Sequence, residues 1–451
     1  MIELSLQRAA QWLSVPAPSG ELTFRGVTTD SRAVEPGALF VALKGPNFDG
    51  HDFVEAAAAN GAVAAVVEHP VDAGLPQLQV DSTLKALGEL AAGWRRLLGL
   101  TVVGITGSNG KTTVKEMVAA ILSRRGRVLA TAGNLNNEIG VPLTLLRLSR
   151  EDRFAVVEMG ANAPGEIARL TRIAGPDVAL VNNTGHAHLE GFGGPEGVVR
   201  AKGEIFEGLS AKGVAVLNAD DASIEPFRAL NRDRQTLEFS LEEPADVRGR
   251  WQVEPGINRL TLEGERGGFD IELPLPGRHN AANALAAAAI ARALGVEDAD
   301  IRAGLEGMEP VLGRLQDRPG PAGSHLLDDT YNANPDSLEA GLAVLQARPE
   351  EAWLVLGDMG ELGAGSEALH ARAGDLAREY GERRLFTLGD LATRAGEHFG
   401  SDARHFDDRE TLIETLRREL GAGVCVLVKG SRSMHMERVV RALTGESDHV
   451  V

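Results

Sequence analysis

Residues 103–113 read VGITGSNGKTT, and this stretch decides the fold of the chain around it. The β-type stretch Leu100 to Ile105 enters a glycine-rich turn, and the helix-forming stretch Val114 to Leu122 leaves it. Glycine lets backbone N–H groups approach phosphate oxygens closely, and a helix N-terminus adds partial positive charge. Lys111 can reach the outer phosphates, and the Thr112 hydroxyl can bind Mg²⁺. The stretch therefore predicts a strand, a phosphate loop and a helix that bind ATP, although a glycine-rich turn without a ligand has the same outline.

The spacing of the loop departs from the standard P-loop, in which the first glycine would fall at Ile105. The glycine falls one residue earlier, at Gly104. The loop itself, residues 107–113, has the form GxxGKTT. The candidate nucleotide-binding residues of the loop are Gly107, Ser108, Asn109, Gly110, Lys111, Thr112 and Thr113.

Charge and cysteine content exclude several classes of partner. The chain has 46 Lys and Arg against 64 Asp and Glu, a net charge of −18, which argues against a nucleic-acid or anionic-membrane partner. Cys425 is the only cysteine, so no intrachain disulfide can form. The N-terminal residues lack the pattern of a signal peptide, and the most apolar stretch, 281–294, is too short to span a bilayer. We expect a cytoplasmic protein, and a monomer.

The alternation of strand and helix patterns predicts an α/β protein of three domains. A length of 451 residues suits about three domains of roughly 150 residues. Residues 1–83 read as short strands and turns. Residues 84–313 alternate apolar strands with helices, which indicates a parallel sheet with crossover helices, and residues 314–451 resume that pattern.

Polar residues follow the strands of the predicted central sheet. Glu158 ends the apolar run Ala155-Val156-Val157, and Asn182-Asn183 follows the next strand. Strand ends of a parallel sheet converge at one edge, so Glu158 can lie beside the phosphate loop and ligate a nucleotide-bound Mg²⁺. A solvated strand-end glutamate is the equally weighted alternative. Residues 232–273 read as an antiparallel insertion, and Asn280 is the expected N-cap of the following helix.

Two further features carry little signal by themselves. His186 and His188 could bind a metal such as zinc, could be surface histidines, or could supply one histidine to the magnesium site. Lys202 lies in a predicted amphipathic helix and reads as a solvated lysine.

Four polar loops are candidates for ligand contacts. Ser31 and Arg32 could hold a diphosphate, and Asp328 to Pro335 could contact a ribose or phosphate or simply cap the next helix. The loops 357–363 and 429–433 follow apolar strands of the last domain and share one edge, which favours a ligand cleft.

Together these motifs resemble those of the Mur ligase family, in order and over essentially the whole chain. Besides residues 106–113, the resemblance rests on 134–142, Glu158-Met159-Gly160, His188-Leu189-Glu190, 201–206, 277–283 and 329–335. The Tyr331-Asn332 form of the last motif, with Val428 to Arg432, is most similar to the members that add a dipeptide.

The resemblance implies three domains, for a UDP-sugar substrate, for ATP and, in a Rossmann-like fold, for the incoming dipeptide. It implies an ATP-dependent amide ligase of peptidoglycan synthesis that joins D-Ala-D-Ala to UDP-MurNAc-tripeptide. The terminal carboxylate attacks the γ-phosphate of ATP, and the dipeptide amine then displaces phosphate from the acyl phosphate.

The resemblance also implies roles for single residues. Lys111 would bind the γ-phosphate, Thr112 and Glu158 a first Mg²⁺, and His188 a second Mg²⁺ with Lys202, which carbon dioxide would carbamylate. Lys111, Lys202 and His188 would then be catalytic. The remaining implied contacts are Asn283 with adenine, Arg314 and Asp329 with ribose or phosphates, Ser31 and Arg32 with the uridine diphosphate, Asn137 with the peptidyl substrate, and Asp358, Lys429, Ser431 and Arg432 with the dipeptide. Tyr331 stands where some relatives carry a lysine, so no lysine role is transferred to this position.

Three other interpretations compete with this one. A folate polyglutamate ligase would share the loop and Lys202, and the ligase that adds the third amino acid is a second alternative within the same superfamily. The stretch from Asp30 to His51 argues against the former, and the lack of an Asp-Asn-Pro-Arg signature argues against the latter. A P-loop ATPase without ligase activity is the reading from another class.

Overall fold

The computed structural model describes residues 1–185, 189–254, 257–263 and 268–446. The first part of the chain forms a small parallel sheet in the order β3-β4-β5-β6. Strands β1 and β2 form a separate antiparallel pair. Its elements are β1 (Glu3–Ser5), α1 (Leu6–Leu13), β2 (Thr23–Arg25), β3 (Val27–Thr28), β4 (Leu39–Val41), α2 (Val54–Ala59), β5 (Ala64–Val67), β6 (Gln77–Gln79) and α3 (Thr83–Leu98).

The middle of the chain is built on a sheet in the order β15-β14-β13-β12-β11-β10-β7-β9-β8. Its elements begin with β7 (Thr101–Thr106), α4 (Lys111–Ser123), β8 (Arg127–Ala130), α5 (Gly140–Leu146), β9 (Asp152–Glu158), α6 (Glu166–Ala174), β10 (Val178–Val181), α7 (Leu189–Phe192) and α8 (Pro195–Gly203). They continue with β11 (Val214–Asn218), α9 (Ile224–Leu230), β12 (Gln235–Ser240), β13 (Val247–Glu254), β14 (Ile257–Leu262), β15 (Phe269–Leu273), α10 (Arg278–Ala293) and α11 (Asp298–Glu306).

The predicted antiparallel insertion over 232–273 is wrong in its first half. β12 pairs in parallel with β11, and β13 pairs in parallel with β12, so these strands extend the central sheet. β14 pairs antiparallel with β13, and β15 pairs antiparallel with β14, so the second half of the segment is antiparallel as predicted. The charged composition of the segment did not indicate that β12 and β13 pair in parallel with their neighbours.

The helix after this segment also begins earlier than predicted. Gly277, with φ of 94°, is the N-cap of α10, and Asn280 lies in the first turn. Asn280 instead uses its Nδ2 to donate to the carbonyl of Pro276 over 2.7 Å. Glycine adopts a positive φ at little cost, so Gly277 rather than Asn280 can occupy the N-cap position.

The last part of the chain forms a sheet in the order β16-β17-β21-β18-β19-β20, parallel except for the β16–β17 pair. Its elements are β16 (Gln316–Pro319), β17 (His325–Asp329), α12 (Pro335–Gln346), β18 (Glu351–Gly357), α13 (Ser366–Glu379), β19 (Arg384–Leu388), α14 (Ala392–Phe399), β20 (Ala403–Phe406), α15 (Arg409–Glu419), β21 (Val424–Lys429) and α16 (Glu437–Thr444).

Apolar side chains on both faces of the two large sheets are buried under helices, as parallel sheets require. The core of the first part is continuous with that of the middle part, since Leu4 and Phe24 belong to the same cluster as Val141 and Leu145. The Ile2 amide donates to the carbonyl of Leu146 over 2.9 Å across that boundary. No helix within the described ranges is long and apolar enough to cross a membrane.

Candidate active site

The phosphate loop connects β7 to α4 at the carboxyl edge of the central sheet, as the sequence predicts. Gly107 and Gly110 adopt φ of 152° and 77°. The Ser108 and Asn109 amides donate to the carbonyl and to the side-chain oxygen of Asn183, over 3.0 and 2.8 Å. The loop therefore rests on the neighbouring strand end, and the N-terminus of α4 opens on a cavity where an anion is favoured.

Lys111 lies at the first position of α4 and folds back over the loop. Its Nζ donates to the carbonyls of Gly107 and Ser108, over 2.7 and 3.1 Å. Burial lowers the pKa of Lys111, and the carboxylates of Glu158 and Glu361 oppose that shift. The lysine is thus held at the loop by contacts that a phosphate group can replace.

Glu158 and Thr112 form a hydrogen-bonded pair beside this loop. Glu158 is the last residue of β9 and is 1% exposed. The Thr112 hydroxyl donates to Glu158 Oε2 over 2.8 Å, and Asn136 Nδ2 donates to Oε1 over 2.7 Å. A hydroxyl and a carboxylate at this distance are hard oxygen donors of the type that Mg²⁺ binds, so the residues present fit a nucleotide-bound magnesium ion. A freely solvated Glu158, the alternative considered above, is excluded.

Two residues that support this pair were not singled out in the sequence. Besides Asn136, the fully buried Lys115 uses its Nζ to donate to the carbonyl of Thr131 over 2.6 Å, and the Glu158 amide donates to Thr131 Oγ1 over 3.0 Å. Lys115 was detectable, because it lies three and seven residues before Val118 and Leu122 and so falls on the apolar face of α4.

Lys202 is not the solvated lysine that its helix suggests, and that reading is wrong. The side chain lies in α8 and is 1% exposed, and its Nζ finds no hydrogen-bond partner in the described residues. The Nζ lies 5.4 Å from the centroid of the Phe192 ring. Burial, reinforced by the charge of Lys111 and opposed by Glu204 and Glu166, lowers the pKa of Lys202 to about 7. The apolar neighbours Val198, Ile205 and Phe206 at helical spacing are the signal that could have revealed its burial.

The two candidate histidines, His186 and His188, lie outside the described residues. Within the described ranges, no cluster of three or more His, Cys, Asp or Glu side chains is arranged to hold a metal ion.

Side chains from the last part of the chain reach the phosphate loop. Arg314 Nη2 donates to the Thr112 hydroxyl over 2.8 Å, and its guanidinium lies 4.3 Å from the centroid of the Tyr331 ring. Asn334 Nδ2 donates to Asn109 Oδ1 over 2.8 Å, while Asn334 also caps α12 as predicted. The loop thus lies between the central sheet and the C-terminal sheet.

A cavity of about 750 Å³ occupies this junction. Of the candidate site residues, it is lined by Ser108, Asn109, Gly110, Lys111, Thr112, Thr113, Asn137, Glu158, Asn283, Arg314, Asp329 and Lys429. Asn283 accepts a hydrogen bond from Asn182 Nδ2 over 2.9 Å, and Asp329 forms a buried ion pair with Lys429. The unassigned His279 also lines the cavity, and burial lowers its pKa to about 4, so it is neutral near pH 7.

The other candidate residues among those described lie away from this lining. Gly107 lies against Asn182, and the Lys202 side chain is buried. Arg32, with 88% of its side chain exposed, pairs with Asp30 in the first part of the chain, and Asn60 Nδ2 donates to the carbonyl of Ser31 over 2.8 Å.

Asp358, Ser431 and Arg432 lie together at the edge of the C-terminal sheet. Asp358 Oδ1 accepts from the Ala392 amide over 2.7 Å, and the Ser431 amide donates to the Asp358 carbonyl over 2.9 Å. Arg432 pairs with Glu437 over 3.3 Å.

Comparison with known proteins matches three family models to the chain in succession. They are the Mur ligase family catalytic domain over residues 23–95, the Mur ligase middle domain over 105–291, and the Mur ligase glutamate ligase domain over 313–432. The chain belongs to the Mur ligase family. The α/β fold class and the ligase class expected from the sequence are therefore confirmed.

Individual members of the Mur ligase family cover nearly the whole chain. The UDP-N-acetylmuramoyl-tripeptide–D-alanyl-D-alanine ligase of Escherichia coli K12 is 46% identical over 447 residues, 98% of this chain and 99% of that protein. The crystal structure of MurF from Acinetobacter baumannii matches with a TM-score of 0.92 at 38% identity, over 99% of this chain and all of that one. The MurF ligase of Thermotoga maritima in complex with ADP matches with a TM-score of 0.83 at 32% identity, over 94% and 97% of the two chains.

Proposed function

We propose that this Mur ligase joins D-Ala-D-Ala to UDP-MurNAc-tripeptide at the expense of ATP and so makes the pentapeptide precursor of peptidoglycan. The observation that carries the proposal is the single cavity in which the phosphate loop, Glu158 and the C-terminal residues Arg314 and Asp329 meet. A ligase needs this arrangement, because the phosphorylated carboxylate and the incoming amine must meet in one place. The similarity to the UDP-N-acetylmuramoyl-tripeptide–D-alanyl-D-alanine ligase of Escherichia coli supports this choice of substrates.

Lys111 and the amides at the start of α4 hold the phosphates in the first step. The tripeptide carboxylate attacks the γ-phosphorus, the bond to the ADP oxygen breaks, and an acyl phosphate forms. Two anions approach each other in this step, and the positive charge of Lys111 reduces their repulsion. Thr112 Oγ1 and Glu158 would hold a Mg²⁺ ion, which supplies further neutralisation of the phosphate charge.

Lys202 would be carbamylated, and His188 would join it at a second magnesium site. The attack on carbon dioxide requires a neutral amine, and a buried Nζ without hydrogen-bond partners among the described residues is an amine of that kind. The reaction adds CO₂ to the amine, releases one proton and leaves a carboxylate on the side chain. The carbamate then offers two carboxylate oxygens to a metal ion, whereas the unmodified, protonated lysine offers only a positive charge.

The remaining assignments divide the substrates among three domains. Residues 1–83 would bind the UDP end through Ser31 and Arg32, residues 84–313 would bind ATP, and residues 314–451 would bind the dipeptide. Asn283 would contact adenine, Arg314 and Asp329 the ribose or phosphates, and Asn137 the peptidyl chain. In the second step the amine attacks the acyl carbon, and the tetrahedral intermediate expels phosphate.

The carboxylate of the dipeptide would bind at the edge of the C-terminal sheet in this proposal. Ser431 and Arg432 offer a hydroxyl and a guanidinium for its carboxylate. Asp358 and Lys429 would act mainly by holding this edge, since the Asp358 carboxylate accepts from the Ala392 amide and Lys429 pairs with Asp329.

The test measures phosphate release from ATP with UDP-MurNAc-tripeptide, with and without D-Ala-D-Ala, and detects the product by mass. We expect release to require the dipeptide and to match pentapeptide formation one for one. Release without either substrate would identify a plain ATPase. Release with a folate or a single amino acid instead would identify another ligase of the same superfamily.

A further inference from the structure

Three buried asparagines form a continuous line of hydrogen-bonded side-chain amides along the cavity. Asn182 follows β10, whereas Asn280 and Asn283 lie in α10, and the three residues are 3%, 5% and 5% exposed. All three line the cavity that the phosphate loop borders. Buried amides need hydrogen-bond partners, so the bonds within this line decide what each amide can still offer to a ligand.

The phosphate loop fixes the orientation of the first amide. Asn182 Nδ2 donates to the backbone carbonyl of Asn109 over 3.0 Å. A carbonyl only accepts hydrogen bonds, so the nitrogen of the Asn182 amide, and not its oxygen, must face the loop. The same nitrogen donates to Asn283 Oδ1 over 2.9 Å. The oxygen of the Asn283 amide is therefore directed toward Asn182.

The other end of the line imposes the same orientation. Asn280 Nδ2 donates to the Pro276 carbonyl over 2.7 Å, which directs Asn280 Oδ1 to accept from Asn283 Nδ2 over 3.2 Å. Two backbone carbonyls, those of Asn109 and Pro276, thus select one orientation of Asn283. A reversed Asn283 amide would lose both bonds and would bring like atoms together at each end.

The fixed amide keeps one donor and one acceptor for a ligand. In the described part of the chain, Asn283 Nδ2 uses one of its two hydrogens and Oδ1 one of its two lone pairs. The line also touches the phosphate loop, because a Cβ atom at Gly110 would stand 2.7 Å from Asn182 Nδ2 and closer still to Asn283 Oδ1. The amide is thus presented beside the place where the phosphates of a nucleotide would bind.

We propose that Asn182, with Asn280 at the other end of the line, sets the choice of nucleobase by holding the Asn283 amide in the orientation that pairs with a 6-aminopurine. Adenine carries the N6 amino donor beside a ring-nitrogen acceptor, and an asparagine amide can pair with both. Since N6 can only donate, it must face Asn283 Oδ1. A 6-oxopurine held by the same phosphates would turn a carbonyl oxygen toward that acceptor.

Asn182 and Asn280 are positioning residues in this proposal, because they act on the base through Asn283. The inference rests on the proposed function, since it presupposes that the ligase uses ATP and that Asn283 contacts its base.

The test compares the affinities of the wild type, Asn182→Ala and Asn280→Ala for ADP and for inosine diphosphate by calorimetry. The two nucleotides share ribose and phosphates and differ at position 6 of the base and in the proton on N1, so the ratio of their dissociation constants reports the base contact. We expect the wild type to prefer ADP at least about 30-fold, because a buried acceptor would otherwise face a second acceptor. The preference should fall at least about threefold in each variant, because one of the two bonds that hold Asn283 is then lost.

A weakened phosphate loop would change both affinities together and leave their ratio unchanged. The Asn109 carbonyl also keeps a second donor in Asn182→Ala, because Asn183 Nδ2 bonds to it over 3.0 Å. Alanine favours helices, so Asn280→Ala, within α10, still tests the proposal if Asn182→Ala does not fold.

Asn231→Ala is the matched control. Asn231 is a fully buried asparagine of the same part of the chain, and its Nδ2 donates to the Phe227 carbonyl over 2.9 Å. It lies outside the residues that line the cavity. Its substitution should leave the ratio at the wild-type value, whatever it does to folding stability.

Equal affinities of the wild type for ADP and inosine diphosphate would overturn the proposal. A ratio that is unchanged in both variants, or that changes as much in Asn231→Ala, would overturn it as well. The measurement needs no turnover, so it is separate from the test of the ligase reaction. A preference for ADP that falls in both variants supports the inference even if no pentapeptide forms from D-Ala-D-Ala, a result that would refute the proposed substrates alone.

Discussion

Substitution of Lys202 is the most informative perturbation, because the burial of this lysine affects both ligase activity and folding stability. With the ordinary lysine pKa of 10.5, about 0.03% of the amine would be neutral at pH 7, whereas a pKa of about 7 leaves about half of it neutral. The neutral amine needed for carbamylation is thus enriched on the order of 10³-fold. Activity that depends on the carbamate should fall as pH drops below 7, because the amine is then protonated.

The same pKa shift predicts how substitution changes the unmodified protein. Below about pH 7 the lysine is protonated in both the folded and the unfolded chain, so the folded state bears the full cost of a buried charge. That cost decreases as pH rises and is absent above 10.5, where the amine is neutral in both states. The difference between a pKa of 10.5 and one of about 7 corresponds to a cost in folding free energy of at most about 5 kcal/mol, at about 1.36 kcal/mol per pKa unit. Lys202→Met should therefore raise the free energy of unfolding near pH 6 in carbon-dioxide-free buffer, while it lowers ligation at least about 100-fold.

The assay combines denaturant unfolding with ligation and with ¹³C NMR of enzyme equilibrated with ¹³C-bicarbonate. We expect a carbamate signal in the wild type and its loss in Lys202→Ala, with ligation by that variant partly restored by short carboxylic acids. Lys212→Ala, at an exposed lysine in the same part of the chain, is the control and should keep signal and activity. Wild-type rates in Lys202→Ala, or the same carbamate signal in both, would refute the reasoning.

Three more perturbations test the supports of the site and the C-terminal fold. Glu158→Gln should raise the Mg²⁺ concentration for half-maximal rate at least about 10-fold, because it replaces a charged ligand oxygen, and a titration at fixed ATP measures this. Lys115→Met should lower the free energy of unfolding by about 1–3 kcal/mol, because it leaves the buried carbonyl of Thr131 without its donor, and urea unfolding measures this. Glu382 is buried without hydrogen-bond partners among the described residues, and burial raises its pKa to about 8. Folding stability should therefore fall as pH rises from 4.5 through 8, by up to about 5 kcal/mol, and Glu382→Gln should flatten this dependence in unfolding curves at pH 5 and pH 8. An unchanged Mg²⁺ requirement, an unchanged unfolding midpoint or an unchanged pH slope would contradict the respective prediction.

Local sequence rules predicted the features that depend on local chemistry. The turn around Gly107 and Gly110 needs positive φ angles, and the glycines at both positions predicted this turn. Glu158 ends an apolar strand, and the ends of parallel strands share an edge, so its position beside the phosphate loop was one of the two equally weighted interpretations, and the structure supports it. The capping role of Asn334 followed from Pro335 behind it.

Features that depend on distant partners escaped the same rules. Lys202 was interpreted as solvated because its position was considered alone, although the apolar neighbours at helical spacing place it, like Lys115, on a buried helix face. The parallel pairing of β12 and β13 depends on which strand lies beside them, and the charged composition of the segment does not report that. The left-handed backbone of Glu361 (φ 62°) and the hydrogen bond from the Met359 amide to His370, eleven residues further on, likewise left no local signal in the sequence.

The most direct test of the central claim follows one oxygen atom. UDP-MurNAc-tripeptide carrying ¹⁸O at both oxygens of its terminal carboxylate is converted with ATP and D-Ala-D-Ala, and the released phosphate is analysed by mass. If the carboxylate attacks the γ-phosphate and the amine then displaces that phosphate, one carboxylate oxygen must leave in each phosphate ion. We predict one ¹⁸O per phosphate released. Unlabelled phosphate, or label in AMP, would contradict the account.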